Sequence, residues 1–309
     1  MYGGTAVLTW LRHLKNALVN AYDDVLKNHT MAFAAALSYY FVLSLFPLLI
    51  ALAAVVGYLP IPNLFEHILD LMSRLVPAQS MGLVRKIVAS VISPSKGKLL
   101  TVGLLGTLWS ASSGFSSMIE ALDVAYDVPE TRPYWKTRSL AFLLTFMIGL
   151  LMVVALSVLI VGPQFGGWLA NKIDLGPEFV LMWPYLRWGV STGFTVLAVE
   201  LLYFLGPNVK QKFLATLPGA VFGVGGWIGL SYLLGLYFQH FSSLNKTYGV
   251  LGGAIALFMW FYWSSLAILI GAEINSELLQ ETGNGKLPLK QPPPAEVTPK
   301  PTTEADLAA

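Results

Sequence analysis

The chain has 309 residues, of which 55% are hydrophobic and 12% charged, with a net charge of +2 and no cysteine. Soluble domains carry about 25% charged residues, so this composition excludes a soluble globule. Lack of cysteine excludes disulfides, thiolate nucleophiles and sulfur-ligated metals, and the small, dispersed charge leaves no footprint for nucleic acid.

The first segment, residues 1–30, is predicted to be an amphipathic helix lying on the cytoplasmic leaflet. Trp10, Leu14, Ala17, Leu18, Ala21 and Val25 recur at helical spacing, opposite Arg12, Lys15, Asn16, Asp23 and Lys27. Arg12, His13 and Lys15 interrupt any apolar stretch that a cleaved export signal would need. Residues 31–276 then form the transmembrane domain. Span one runs from about Met31 to Leu59, with Pro47 predicted to kink it near Leu43. Residues 61–98 follow as an outer helical hairpin, with one apolar stripe through Leu64, Ile68, Leu71 and Leu75 and a second through Leu83, Ile87, Val91 and Ile92. Neither is long enough to cross a hydrocarbon layer of about 30 Å.

Span two covers about Leu99–Ile119 and ends at a loop carrying Arg132, Lys136 and Arg138. Span three covers about Leu140–Val161, with Gly162, Pro163, Gly166 and Gly167 predicted to break it. Span four covers about Tyr185–Leu205 and is followed by a tight turn at Pro207-Asn208 with Lys210 and Lys212. Spans five and six cover about Phe213–Phe238 and Val250–Ile274. Residues 277–309, rich in proline beyond Glu281, are predicted to be a disordered cytoplasmic tail. The fold predicted is thus all-α, a polytopic membrane protein with six transmembrane helices, the interfacial helix and the outer hairpin. Basic residues of short loops stay in the cytoplasm. The loops at 120–139 and 207–212 therefore place both termini inside.

Several segments resemble the YihY/BrkB family of bacterial inner-membrane proteins, once labelled ribonuclease BN. They are Ala34-Ala35-Ala36-Leu37-Ser38-Tyr39-Tyr40 with Leu43-Ser44-Leu45-Phe46-Pro47, Trp109-Ser110-Ala111-Ser112, Ala125-Tyr126, Leu202-Tyr203, Pro207-Asn208, Pro218-Gly219-Ala220, Tyr248-Gly249, and Gly271-Ala272-Glu273-Ile274-Asn275. The resemblance covers about residues 10–277. It implies a six-helix inner-membrane protein, with loose links to envelope integrity and lipid traffic and with no catalytic residues to carry over.

Glu200 is the most informative single residue. It lies about five residues inside the end of span four, roughly 8 Å along the axis. An ionisable group at that depth faces a cavity or a partner, and the helix C-terminus repels a carboxylate, so Lys210, Lys212, Arg132 and Arg138 are the expected compensation, either for a Glu200 that snorkels to this basic interface and holds two helices together or for one with a transport or proton-coupling role. Ser38, Tyr39, Ser44, Ser110, Ser112 and Ser113 form polar patches that either bond to backbone carbonyls or line a path for headgroups. Span five spaces Gly219, Gly223, Gly225, Gly226, Gly229 and Gly235 for close helix packing or for a moving interface.

Scattered histidines at 13, 29, 67 and 240 offer no metal-ligand spacing, and no phosphate loop or nucleophile–base pair stands out. The expectation is therefore no enzyme, no cofactor and no metal, and the ribonuclease label is rejected for want of clustered acids or histidines. The candidate transport or cavity residues are Glu200, Ser38, Tyr39, Pro47, Ser112, Tyr203 and Asn208. The expected partners are membrane lipids, with a homo-oligomer left open and nucleic acid disfavoured. The leading expectation is a transporter or translocation factor for lipids or other amphiphiles; a non-transporting scaffold and a small-solute or ion channel are the alternatives.

Overall fold

The computed structural model describes residues 3–58, 97–173, 177–240 and 250–282, and among them there is no strand. The helices are α1 (Gly3–Lys27), α2 (Thr30–Tyr58), α3 (Gly97–Ala125), α4 (Tyr134–Ile173), α5 (Pro177–Leu205), α6 (Leu217–His240) and α7 (Val250–Thr282), with a 3-10 turn over Phe213–Ala215 before α6. By length and composition α4, α5, α6 and α7 can each cross a membrane, and α2 adds an apolar stretch over Thr30–Leu45. The outward faces carry Phe146, Leu150, Val153, Leu181, Tyr232 and Leu233, all exposed. Such a surface belongs against acyl chains, because peptide groups satisfied inside helices leave only apolar side chains to meet lipid.

Helix α7 is central, packing on α6, α2, α1 and α3, while α4 pairs with α5 and α2 with α3. Its residues 271–279 are all buried. They meet a core of Leu37, Met118, Ile119, Leu122, Tyr126, Leu202, Tyr203 and Leu269. That core lies toward one end of the bundle, where the α1–α2 junction, the loop between α3 and α4 and the turn between α5 and α6 converge. We refer to it as the polar end.

The approach of α6 to α7 depends on glycine. A Cβ on Gly219 would stand 2.2 Å from the Gly271 carbonyl, and one on Gly271 would stand 2.5 Å from the Gly219 carbonyl. No backbone yields that far, so the two helices can cross here only without side chains. Gly223 and Gly271 also make room for the Tyr203 hydroxyl, which donates to the Ile268 carbonyl. Gly225, Gly229 and Gly235 have nothing within 4 Å of an added Cβ. Only part of the glycine pattern is therefore packing.

Three boundaries and one apolar face differ from the expectation. Helix α4 passes through Pro163 and continues to Ile173, because its neighbour satisfies the carbonyl that proline frees, as described below. Helix α5 starts at Pro177 and contains Pro184. Helix α7 extends to Thr282, beyond the predicted start of the tail, because Ile274 and Leu278 pack against Ala17 and Ala21 of α1. The apolar stripe of α1 is divided: Ala17, Ala21 and Val25 are buried, whereas Leu18 is exposed beside Val19, Tyr22 and Leu26. The hairpin predicted over 61–98 lies outside the described residues up to residue 96, as do residues 283–309 of the tail and the Tyr248-Gly249 motif.

Candidate functional site

The polar end is assembled from helix termini whose unpaired backbone groups are served by side chains from elsewhere in the chain. At the start of α2, His29 takes a left-handed backbone (φ 51°) and separates α2 from α1. The Glu273 carboxylate of α7 lies at this N-terminus. It accepts hydrogen bonds from Thr30 Oγ1 at 3.0 Å and Asn28 Nδ2 at 3.2 Å. A carboxylate is favoured there by the partial positive charge of the helix end. Two residues on, Asn275 caps α6 from outside. Its Oδ1 accepts from the Gly219 N–H at 2.7 Å and its Nδ2 donates to the Thr216 carbonyl at 2.8 Å. Pro218 has no N–H to satisfy. Helix α7 thus serves the ends of two neighbours with residues two positions apart.

Helix α3 closes with Asp127 in a left-handed conformation (φ 52°), the Val128 N–H bonded to the Asp123 carbonyl at 2.9 Å and the Asp127 N–H to the Val124 carbonyl at 3.0 Å. This pair of bonds reverses the chain at a helix C-terminus. It points the Asp123 side chain at the next loop, where Oδ1 accepts from the Asn208 N–H at 2.7 Å. Asn208 Nδ2 in turn donates to the Pro129 carbonyl at 3.1 Å and Thr131 Oγ1 at 2.7 Å. Arg132 grips Glu130 with its Nε and Nη2 at 2.9 and 2.7 Å, reaches the Gly206 carbonyl at 2.9 Å and lies 3.6 Å from Asp123. Gln211 donates to the Tyr203 carbonyl at 2.7 Å. The Tyr203 carbonyl of α5 and the Gly206 carbonyl just beyond its end are therefore capped by Gln211 and Arg132, the latter with the charge that this end prefers. A cavity of about 640 Å³ opens beside the network, lined by Thr131, Arg132, Phe204, Asn208, Lys210 and Gln211 among others.

Burial raises the Asp123 carboxyl from 3.8 to about 7, with Glu130 adding to the rise and the Asn208 N–H and Arg132 opposing it. Glu130 itself, against the pull of burial, is held below the ordinary value by the Arg132 fork. Tyr126 is fully buried facing Asn275 and Gln211, and burial pushes its phenol up. Because the folded state of Asp123 holds its proton more tightly than the unfolded chain, its contribution is fully present below pH 3.8 and is lost as pH rises through about 7. Thermal unfolding in detergent should show the wild type losing stability across that window and Asp123→Asn, which keeps the Asn208 bond, losing much less.

The predicted residues fall in different places. Asn208 and Tyr203 belong to the polar end. Ser38 and Ser112 are buried and donate to the Ala35 and Trp109 carbonyls of their own helices at 2.7 and 2.9 Å. Tyr39 is exposed and meets Tyr40 edge-on. Pro47 lies within α2, its side chain outside the described residues. Glu200 is 4% exposed on α5 and its Oε1 has no hydrogen-bond partner. The cations expected to compensate it are engaged elsewhere or exposed. Arg132 is committed as above, Arg138 reaches Ser113, Ser116 and the Trp109 carbonyl while stacking over the Trp109 ring, and Lys210 and Lys212 are exposed. Among the described residues no ion pair includes Glu200.

Sequence reasoning did not single out Glu273 and Asn275 beyond their part in the resemblance, nor Arg187. A carboxylate and an amide two residues apart near the end of an apolar helix were the available signal. Of the segments that carry the resemblance, Tyr126, Tyr203, Asn208, Gly219, Glu273 and Asn275 meet at the polar end.

The model of the family described as Virulence factor BrkB matches residues 21–296. A ribonuclease-like protein, YfkH, of Bacillus subtilis (strain 168) is 35% identical over 259 residues, covering 84% of this chain and 92% of its own. Two proteins described as UPF0761 membrane proteins are also similar. That of Tolumonas auensis is 26% identical over 265 residues, covering 82% of this chain and 84% of its own, and that of Photobacterium profundum is 28% identical over 251 residues, covering 79% and 75%. No solved structure matches the chain. With the family model covering most of the sequence and the long apolar helices lying within it, the chain belongs to the BrkB family and is a multi-pass membrane protein.

Proposed function

We propose that this protein is a translocation factor for lipids or related amphiphiles in the bacterial inner membrane, with both termini in the cytoplasm and no enzymatic step of its own. The observation that carries the reading is the unpartnered, buried Glu200 on α5. The same helix lines the cavity of about 640 Å³ at the polar end through Phe204 and Leu205, and at its other end a mostly apolar cavity of about 400 Å³ through Trp183, Leu186, Arg187 and Val190. An ionisable group left without a counter-charge in a membrane span is costly and is usually kept for function. On α5 it stands between two recesses of different polarity, the arrangement that a headgroup crossing the membrane would use. The orientation is supported by Arg132, Lys136, Arg138, Lys210 and Lys212, which all belong to the polar end.

Proteoliposomes carrying a headgroup-labelled phospholipid test this. Wild type should expose the inner-leaflet label to an impermeant quencher well above the rate of empty vesicles, and Glu200→Ala should reduce that rate by about tenfold, a barrier change of roughly 1.4 kcal/mol. Wild-type rates equal to those of empty vesicles would remove the proposal. Equal rates in the two proteins, both above background, would leave translocation standing without a role for Glu200.

A further inference from the structure

Three side chains four residues apart on α5 bond to three carbonyls of α4. Trp183 Nε1 donates to Gly162 at 2.7 Å, Arg187 Nη1 to Leu159 at 3.1 Å and Ser191 Oγ to Ala155 at 3.0 Å. The middle bond has a specific cause. Pro163 has no N–H, so the carbonyl four residues before it, that of Leu159, loses its helical donor, and Arg187 replaces it. Gly162 and Gly166 admit these side chains, since a Cβ on Gly162 would stand 2.5 Å from Arg187 Cδ and one on Gly166 would stand 2.1 Å from Trp183 Nε1.

Capping one carbonyl does not use a guanidinium, which has five N–H donors. Nε of Arg187 is buried with no acceptor, and no described carboxylate pairs with the group. The donors left without an acceptor lie on the Nε–Nη2 edge, the same one with which Arg132 grips Glu130. That edge matches two oxygens of a carboxylate or a phosphate.

Position narrows the ligand. Arg187 lies 18 residues before the end of α5 at Leu205, about 27 Å along the axis, so it sits near the membrane surface opposite the polar end. Phe165, Trp168, Phe179 and Trp183 cluster there with ring centroids 5.2 to 6.0 Å apart, and Lys172 stands 4.8 Å above Trp168. Tryptophans and a lysine of this kind mark headgroup depth. Two recesses share Arg187. The cavity of about 400 Å³ runs toward the membrane interior along Val154, Val158 and Val190, and one of about 220 Å³ lies toward the surface at Pro163, Gly167 and Val180.

We infer that Arg187 holds the phosphate of a phospholipid from the leaflet opposite the polar end, with an acyl chain in the valine-lined cavity and the headgroup in the smaller recess. The order of apolar slot, cation and outer recess is the order of acyl chain, phosphate and headgroup in the lipid. Occupancy of this site requires no flux and no part of Glu200, so it stands or falls separately from the translocation proposal.

Native mass spectrometry of the detergent-solubilised protein titrated with dioleoyl phosphatidylglycerol tests it. Wild type should retain a single-lipid adduct, and Arg187→Met should weaken it by about tenfold. Val158→Trp, which fills the apolar slot and leaves the guanidinium in place, should weaken it comparably; this second variant decides the matter if Arg187→Met does not fold. Equal adducts in wild type and a folded variant would overturn the site. Displacement of the lipid by excess inorganic phosphate would also overturn it, since a site for free phosphate needs no acyl slot.

Discussion

Gly219→Ala is expected to destabilise the detergent-solubilised protein by about 1–3 kcal/mol, the range for forcing atoms into a closed contact. The added methyl meets the Gly271 carbonyl at 2.2 Å and the Asn275 side chain at 2.3 Å. Relief requires α6 and α7 to move apart, and Gly223 and Tyr203 are held by the same crossing. Gly225→Ala is the matched control. It adds the same methyl where nothing lies within 4 Å, and alanine favours a helix over glycine by about 1 kcal/mol. Thermal unfolding followed by circular dichroism should therefore separate two alanine substitutions six residues apart in sign as well as size.

Asn275→Leu should cost about 2–5 kcal/mol. The leucine fills a similar volume but leaves the Gly219 N–H and the Thr216 carbonyl without their partner, and each buried orphan costs about 1–3 kcal/mol. Asn275→Asp keeps the acceptor for Gly219 and loses the donor to Thr216, so its midpoint should fall between those of the wild type and the leucine variant. If leucine were tolerated as well as asparagine, the α6 terminus would be capped by something other than α7.

Much of the helical frame can be read from local composition, because runs of apolar residues near 20 in length and the glycine spacing of span five depend only on near neighbours in sequence. The ends of the helices cannot be read in this way. Pro163 looks like a terminator until Arg187, 24 positions later, takes the carbonyl it frees. Glu273 looks like an acidic residue at the very end of the last span until Asn28 and Thr30, some 245 residues earlier, are brought to it. In each case the deciding partner is distant in sequence. The depth of Glu200 was legible, since counting from Leu205 is a local operation. Its lack of a counter-ion was not, because Arg132 and Arg138 had nearer carboxylates, hydroxyls and carbonyls to satisfy.

Translocation along α5 requires that its two recesses open at opposite membrane surfaces. The sequence contains no cysteine, so a single introduced thiol reports its own position without background. Thr131→Cys lines the recess at the polar end and Val180→Cys the small recess beside Arg187, and both positions are exposed. With an impermeant maleimide applied to sealed vesicles of known orientation, one thiol should react from the outside only and the other only after the vesicles are opened. Labelling of both from the same side would contradict a path along α5 from one surface to the other.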